Sequence, residues 1–379
     1  MNFGDLTIYL CNILCIIPPI TCRQSKSIKK VHHYWTGSVT VIVLILFCLT
    51  TYNRLLKVYN VMDPTISFLD QLSETSFTLT NLLTSVEVTF FSRSFQDFFR
   101  KLSYNGSPSN WIDCLNRGKF FMAFNLGLLV TIGLDMTYWS RTVGIGTYIL
   151  YSLRAFQFYQ NGLNIYLLVC FLNCLKLQLK LYKRKLTKYV ENSRVIESNL
   201  FTPNQNASVE DLNELRKKQC ELLNLVPHFN RVFGRNILLI MFNCIVVAIL
   251  FTSIALVCIM KKMDFQGIQP DTCFYLLCSA WITQSLTFPI MLAYACEAVV
   301  TEADKILSLS IDYLNDFPVI PKTSELQIVK EELQMICQQA QAKRPVFSAG
   351  GFFVVNYTML GMMIGSVTSY IIVVLQFVK

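Results

Sequence analysis

Long apolar runs alternate with polar and charged connections along most of the chain. Seven of these runs reach the roughly 20 mostly apolar residues that a membrane-spanning helix needs. They cover residues 36–57, 66–92, 119–140, 144–175, 236–260, 271–300 and 350–378. The pattern predicts an all-α membrane protein with seven transmembrane helices. An eighth run, residues 7–21, is shorter and ends in two prolines, so we interpret it as an interfacial or packed N-terminal helix.

The connections after the fourth and sixth spans are longer than the others and contain amphipathic segments. Apolar residues recur there at helical spacing, for example at Leu326, Val329, Leu333 and Ile336. Such a stripe needs a partner surface. We therefore expect long helices that extend into the cytoplasm and hold subunits together. Separate solvated helices are the alternative.

Composition supports a membrane location. The 379 residues are 53% hydrophobic and 15% charged, whereas soluble domains carry roughly 25% charged residues. On this topology 26 of the 33 Lys and Arg residues fall on one side and six, Arg54 among them, on the other. Because positive charge marks the cytoplasmic side, the N-terminus is predicted inside and the C-terminus outside. A G-protein-coupled receptor has the opposite orientation, so we expect no G protein as a partner. The apolar spans imply membrane lipid as a partner, and basic residues placed beside them give no reason to expect nucleic acid.

Polar residues follow one face of the second predicted span. The residues Asp70, Glu74, Thr78, Asn81 and Ser85 are spaced three or four apart, which places them on one side of a helix. Ionisable groups inside a membrane are costly and usually face a partner or a cavity. Arg154 lies about ten residues into the fourth span, at a similar depth on this topology. An ion pair between Glu74 and Arg154 is therefore expected.

Further polar and aromatic residues fall in the outer half of the predicted bundle. An aromatic pocket with a few polar groups is typical of small-molecule sites. The predicted ligand-pocket residues are Asp70, Glu74, Asp135, Tyr138, Trp139, Arg154, Trp281 and Gln284. For Tyr138 and Trp139 the alternative is an interfacial aromatic belt. For Trp281 the alternative is ordinary packing in the core.

The last span has no charged residue between positions 350 and 378. A stripe of small, polar and apolar residues runs along it, formed by Met362, Gly365, Ser369, Ile372 and Gln376. Several copies of such a helix around a symmetry axis can line a pore. In that arrangement Ser369 and Ile372 would face the pore, Gln376 would form a ring of amides, and Phe377 an apolar plug.

This interpretation divides the chain into six parts. They are a cytoplasmic N-terminal segment with a short helix (1–35), the first four spans (36–175), a cytoplasmic anchor (176–235), the fifth and sixth spans (236–300), a second anchor segment (301–349) and a pore-lining seventh span (350–379).

The C-terminal segment "AKRPVFSAGGFFVVNYTMLGMMIGSVTSYIIVVLQF" resembles that of insect gustatory receptors. Their signature is Thr-Tyr, five apolar residues and Gln-Phe. Here Ser369-Tyr370 precedes five apolar residues and Gln376-Phe377, so Ser replaces the usual Thr. The preceding "FSAGGFF" is similar to the family's lead-in to its last helix.

The resemblance implies a tetrameric, ligand-gated cation channel in the plasma membrane of sensory neurons. It implies a small-molecule tastant and cations as partners, a homotetramer or a heteromer, and no cofactor. It also places Gln376 and Phe377 at the outer constriction of the pore. The sweet-sensing branch tends to carry an acidic residue after the Tyr, whereas this chain has Ile371, which favours a bitter-type receptor. An insect odorant receptor of the same superfamily is the near alternative.

Two other classes of membrane protein are less compatible with the sequence. A membrane metallohydrolase needs a metal cluster within its spans, but His32, His33 and His228 all lie in predicted cytoplasmic segments. A secondary transporter would show internal repeats and interrupted helices, and neither is evident. We therefore expect no enzyme activity and keep a transporter as an alternative.

Overall fold

The computed structural model describes residues 9–17, 26–57, 64–104, 118–198, 209–261, 271–316 and 324–377. Within these ranges the chain is almost entirely helical, as predicted. The helices are α1 (9–13), α2 (Lys26–Lys57), α3 (Pro64–Phe90), α4 (Ser92–Tyr104), α5 (Gly118–Val143), α6 (Ile145–Ser198), α7 (Val209–Lys261), α8 (Thr272–Asp316), α9 (Ser324–Ala342) and α10 (Tyr357–Phe377).

Helix α6 forms the centre of the bundle. Every residue from 160 to 172 is buried, which is expected of a helix with neighbours on all sides. Helices α2, α3, α5, α7 and α8 pack around it. At 54 residues α6 is about 80 Å long, far more than a bilayer core of about 30 Å requires. Helices α7 and α8, with 53 and 45 residues, are also longer than a span needs.

Five of the described helices are long and apolar enough to cross a membrane. Their apolar parts are Val31–Leu56, Phe121–Thr142, Ser152–Glu191, Glu210–Met260 and Thr272–Asp316. In α10 the apolar stretch is shorter, Tyr357–Val373. Helix α3 has 27 residues, enough to span, but its polar face lowers its hydropathy. The chain is thus a multi-pass membrane protein, while its seven-span count and orientation stay predictions.

The N-terminal run packs against the bundle. Cys11, Ile16 and Ile17 are at most 2% exposed. Gln160 on α6 donates a hydrogen bond from Nε2 to the carbonyl of Leu14 at 2.7 Å. For residues 9–17 the structure therefore favours a packed segment over an interfacial one.

Helix α4 was not anticipated, because its residues were assigned to a connection between spans. Phe95, Phe98, Phe99 and Leu102 are all buried and lie on one face of it. The ring of Phe98 packs 5.4 Å from that of Phe233 on α7. The spacing of these four residues is typical of an amphipathic helix, so the signal was present in the sequence.

A short β-hairpin joins α9 to α10. Strand β1 (Ser348–Ala349) pairs antiparallel with β2 (Phe353–Val354). The turn contains Gly350 and Gly351, with φ angles of 60° and 82° that side chains other than glycine rarely adopt. The last helix consequently begins at Tyr357, whereas the sequence predicted a span from residue 350.

Candidate ligand and pore site

Trp281 lies in the interior of the bundle. Its side chain is 0% exposed. The indole stacks on Phe251 at 5.1 Å between ring centroids and packs 4.5 Å from Phe158. Its Nε1–H donates to Oδ1 of Asp135 at 3.2 Å. Two residues predicted for the pocket, Trp281 and Asp135, are thus in direct contact.

The other aromatic residues predicted for the pocket pack against the core of the bundle. Tyr138 is 4% exposed, and its ring lies 5.2 Å from Trp139 and 5.1 Å from Phe274. Trp139 is partly buried against the core. Both side chains therefore pack against protein. Residues of an interfacial aromatic belt do not need such contacts. Gln284 is half-buried, and its Oε1 lies 3.7 Å from where a Cβ at Gly127 would be.

Two arginines and two acidic residues form a cluster between α2, α3 and α6, which we call the charge quartet: Arg54, Asp70, Glu74 and Arg154. Arg154 contacts Asp70 through Nη2 and Glu74 through Nε, the latter at 3.3 Å. The expected pair of Glu74 and Arg154 is therefore present. Arg54 contacts Asp70 at 2.6 Å and Glu74 at 3.1 Å.

Sequence reasoning missed Arg54 because it lies at the outer end of the first predicted span, where it was counted with the basic residues that flank the membrane. Its side chain is instead only 2% exposed. The quartet contains two positive and two negative groups, so its charges balance within the bundle. Buried charges are tolerated when they are paired in this way. A ligand role for Asp70, Glu74 and Arg154 remains a prediction.

Uncharged polar side chains continue the polar face of α3 past the quartet. Gln157 donates to Thr78 Oγ1 at 3.1 Å, and Thr84 donates to Asn236 Oδ1 at 3.0 Å. Thr78, Asn81 and Ser85 are buried, so the predicted face does point inward. The partners on α6 and α7 were not predicted, although isolated amides within apolar spans were the available signal.

Helix α10 packs on α7 and α8 with one side only. Met359 and Met363 are at most 7% exposed on that side. The predicted pore stripe of Met362, Gly365, Ser369, Ile372 and Gln376 is exposed along its whole length. No described atom lies within 4 Å of a Cβ added at Gly361 or Gly365. The side chain of Phe377 lies outside the described part of the chain.

A sequence profile of the 7tm chemosensory receptor family matches residues 5–379, essentially the entire chain. The chain belongs to the 7tm chemosensory receptor family. This is a family of chemosensory receptors rather than of enzymes. Membership agrees with the terminal motif and with the predicted insect chemoreceptor superfamily. A comparison with curated proteins found no significant match.

Two solved structures share the fold of this chemosensory receptor. The structure of the insect olfactory receptor OR5 from Machilis hrabei aligns with a TM-score of 0.62 and 11% identity, over 99% of each chain. The structure of the same receptor in complex with eugenol aligns with a TM-score of 0.60 and 11% identity, over 99% of this chain and 97% of that one. At this identity the likeness concerns the fold.

Proposed function

We propose that this chain is a subunit of a ligand-gated, non-selective cation channel that opens when a small molecule binds in the outer half of its bundle. The observation that carries the proposal is the two-sided character of α10. One side packs on α7 and α8, while an uncharged stripe of small, polar and apolar residues is left exposed from Met362 to Gln376. A helix with only lipid on that side has no need for Ser369 or Gln376.

In the proposed channel four copies of α10 surround a central pore. Ser369 and Ile372 line it, and Gln376 and Phe377 form its outer constriction. A ring of Gln376 amides would present oxygen atoms to passing cations without holding them. The subunits are identical or belong to related receptors, and the extended parts of α6 to α9 hold them together on the cytoplasmic side.

The ligand pocket of the proposal is the region around Trp281, Asp135, Tyr138 and Trp139, with Gln284, Asp70, Glu74 and Arg154 nearby. Support comes from the aromatic packing around Trp281 and from the similar receptor solved in complex with eugenol, a small organic molecule. Aromatic walls with few polar groups suit a ligand of that kind.

We propose taste as the sensory role, in the plasma membrane of sensory neurons. The terminal motif from Ser369 to Phe377 is that of gustatory receptors, and Ile371 favours a bitter-type over a sweet-type receptor. The alternative is an odorant receptor, which the fold similarity to an olfactory receptor supports.

Electrical recording from cells that express this chain alone tests the proposal. Plant alkaloids should evoke cation currents that persist in excised patches without GTP, whereas sugars should not. Calcium entry in the same cells provides a faster screen, and a panel of volatile odorants tests the olfactory alternative. Substrate uptake without ligand-gated current would support a transporter and contradict the channel.

A further inference from the structure

The part of α6 that follows the predicted fourth span has two different faces. One face is buried within the bundle, where Leu179, Tyr182 and Leu186 are each at most 1% exposed. The opposite face is exposed and consists of two leucines and four basic residues, which we call the basic face: Leu177, Lys180, Leu181, Arg184, Lys185 and Lys188. With 3.6 residues per turn, these six residues fall within about 140° of the helix surface.

The charges of the basic face are not balanced by other described residues. No acidic residue lies between Asp135 and Glu191 in the sequence. None of the four basic side chains forms an ion pair within the described part of the chain. The half-buried Lys176 and Lys183, by contrast, lie close enough to Glu302 on α8 for electrostatic attraction. The lysines on the protein side of α6 thus have an acidic neighbour, and the exposed basic residues do not.

The predicted topology places the basic face at the cytoplasmic surface of the membrane. The fourth span is predicted to enter from outside and to end at residue 175, so Lys180 lies about 8 Å past it along the helix. Polar headgroups extend about 5–8 Å beyond the hydrocarbon core on each side. The Cα–Cβ bonds of a helix tilt towards its N-terminus, which here is the membrane side. The side chains of Lys180 and Arg184 can therefore reach the headgroups, while Leu177 lies beside the acyl chains.

A further exposed basic residue lies on the helix that borders this face. Gln178 on α6 donates a hydrogen bond from Nε2 to the carbonyl of Leu102 on α4 at 2.9 Å. The preceding residue of α4, Lys101, is exposed. Helix α4 directly follows the second predicted span, which ends on the same side of the membrane. Two helices thus bring exposed positive charge to one part of the cytoplasmic side.

We propose that the basic face binds the phosphorylated inositol headgroup of a phosphoinositide lipid in the inner leaflet. Clusters of four or more Lys and Arg directly cytoplasmic of a span are typical of sites for anionic lipids. A headgroup with several phosphate groups contacts several of these side chains at once through charge-assisted hydrogen bonds. A twofold contact between two copies of the chain would instead place like charges opposite each other. The inference depends on the predicted orientation and not on the proposed channel function.

Thermal unfolding of the purified full-length protein in detergent micelles tests the proposal. Dioctanoyl phosphatidylinositol bisphosphate should raise the midpoint of unfolding, because a ligand of the folded state stabilises it. Dioctanoyl phosphatidylcholine, which has the same chains and no net charge, should not. The double variant Lys180→Gln with Arg184→Gln should raise the lipid concentration for a half-maximal shift roughly tenfold, since each basic residue near the surface adds to the attraction.

The matched control is Lys217→Gln with Lys218→Gln on α7, which also removes two charges from a predicted cytoplasmic helix. Glu214 and Glu221 lie three or four positions from both lysines, so acidic residues already share their side of the helix. This variant should keep the lipid response of the unmodified protein.

A charge-conserving exchange, Lys180→Arg with Arg184→Lys, should keep most of the response. Where the double Gln variant does not fold, the single variant Arg184→Gln should still weaken it. An unchanged response in a folded Gln variant would overturn the proposal. Equal potency of soluble inositol trisphosphate would also overturn it, because the face would then bind free phosphates rather than a lipid. A Gln variant that keeps the lipid response but changes the oligomeric state would assign the face to a subunit contact instead.

Discussion

At the scale of single residues, buried charged and polar side chains of the bundle contact one another. The charge quartet is paired internally, with two guanidinium and two carboxylate groups in mutual contact. Trp281 and Asp135 also satisfy each other. Glu74 Oε1 in the quartet, and one atom each of Asn161 and Asn243, have no hydrogen-bond partner in the described part of the chain. We propose that the quartet stabilises the receptor.

Arg154→Met tests the structural role of the quartet. It leaves an uncompensated negative charge in the bundle, which should lower the free energy of unfolding by about 3–5 kcal/mol. Adding Glu74→Gln restores the charge balance and should recover part of the loss. Thermal unfolding in detergent measures both effects.

Arg141→Met is the control for this experiment, because Arg141 is exposed at the end of α5. Its effect should stay within about 0.5 kcal/mol. A single Arg154 variant as stable as the unmodified protein would show that the quartet does not stabilise the fold.

Trp281→Phe removes the indole N–H but keeps an aromatic ring. Asp135 then loses a donor, which weakens the arrangement of the proposed pocket. The ligand concentration for half-maximal current should therefore rise roughly tenfold, which corresponds to the loss of one hydrogen bond of about 1.4 kcal/mol. Single-channel conductance should not change, because Trp281 is buried in the bundle whereas the α10 stripe is exposed. Trp35→Phe, at a 48% exposed position, is the control. A change in conductance would instead assign Trp281 to the pore.

At the scale of elements, the hairpin connects the bundle to the last helix. Asn230 on α7 donates to the carbonyl of Val346 at 2.7 Å and accepts from the amide of Ser348 at 3.1 Å. Gly234 on α7 lies against the same hairpin. A movement of α7 would therefore reach α10 through these contacts.

Gly234→Ala tests this connection. The new Cβ would lie 2.9 Å from the backbone nitrogen of Gly350 and 3.2 Å from the carbonyl oxygen of Ser348, and backbone atoms cannot yield cheaply. We expect a loss of about 1–3 kcal/mol in stability and a shift in the ligand concentration for half-maximal current. Gly133→Ala on α5, where no described atom lies within 4 Å, should change neither. Unchanged gating in a folded Gly234 variant would argue against coupling through the hairpin.

At the scale of the whole molecule, the exposed stripe on α10 is the feature that bears on assembly. The stripe on α10 is exposed, and so are Ile364 and Val373, at 56% and 45%. A single helix cannot enclose a pore, so the proposed function requires further subunits around α10. In that assembly the exposed stripe would face the pore and contact the neighbouring copies of α10.

Gln376→Ala tests the pore assignment. Removing a ring of amides should change the relative permeability of Na⁺ and Ca²⁺, or the unitary conductance, while the ligand concentration for half-maximal current stays within about twofold. Ile364→Ala is the control, because Ile364 is exposed but lies about 120° around the helix from the stripe. Unchanged conduction in the Gln376 variant would count against a pore at this face.

The sequence by itself determined the helical membrane architecture and the inward polar face of α3, because span length and helical spacing are local properties. The similar depth of Glu74 and Arg154 in the predicted topology pointed to their contact. The terminal motif pointed to the family. Tertiary structure alone decided that Arg54 completes the charge quartet and that Asp135 bonds to Trp281. These contacts join residues that are distant in the chain. The periodicity of one helix does not determine which face of another helix it packs against.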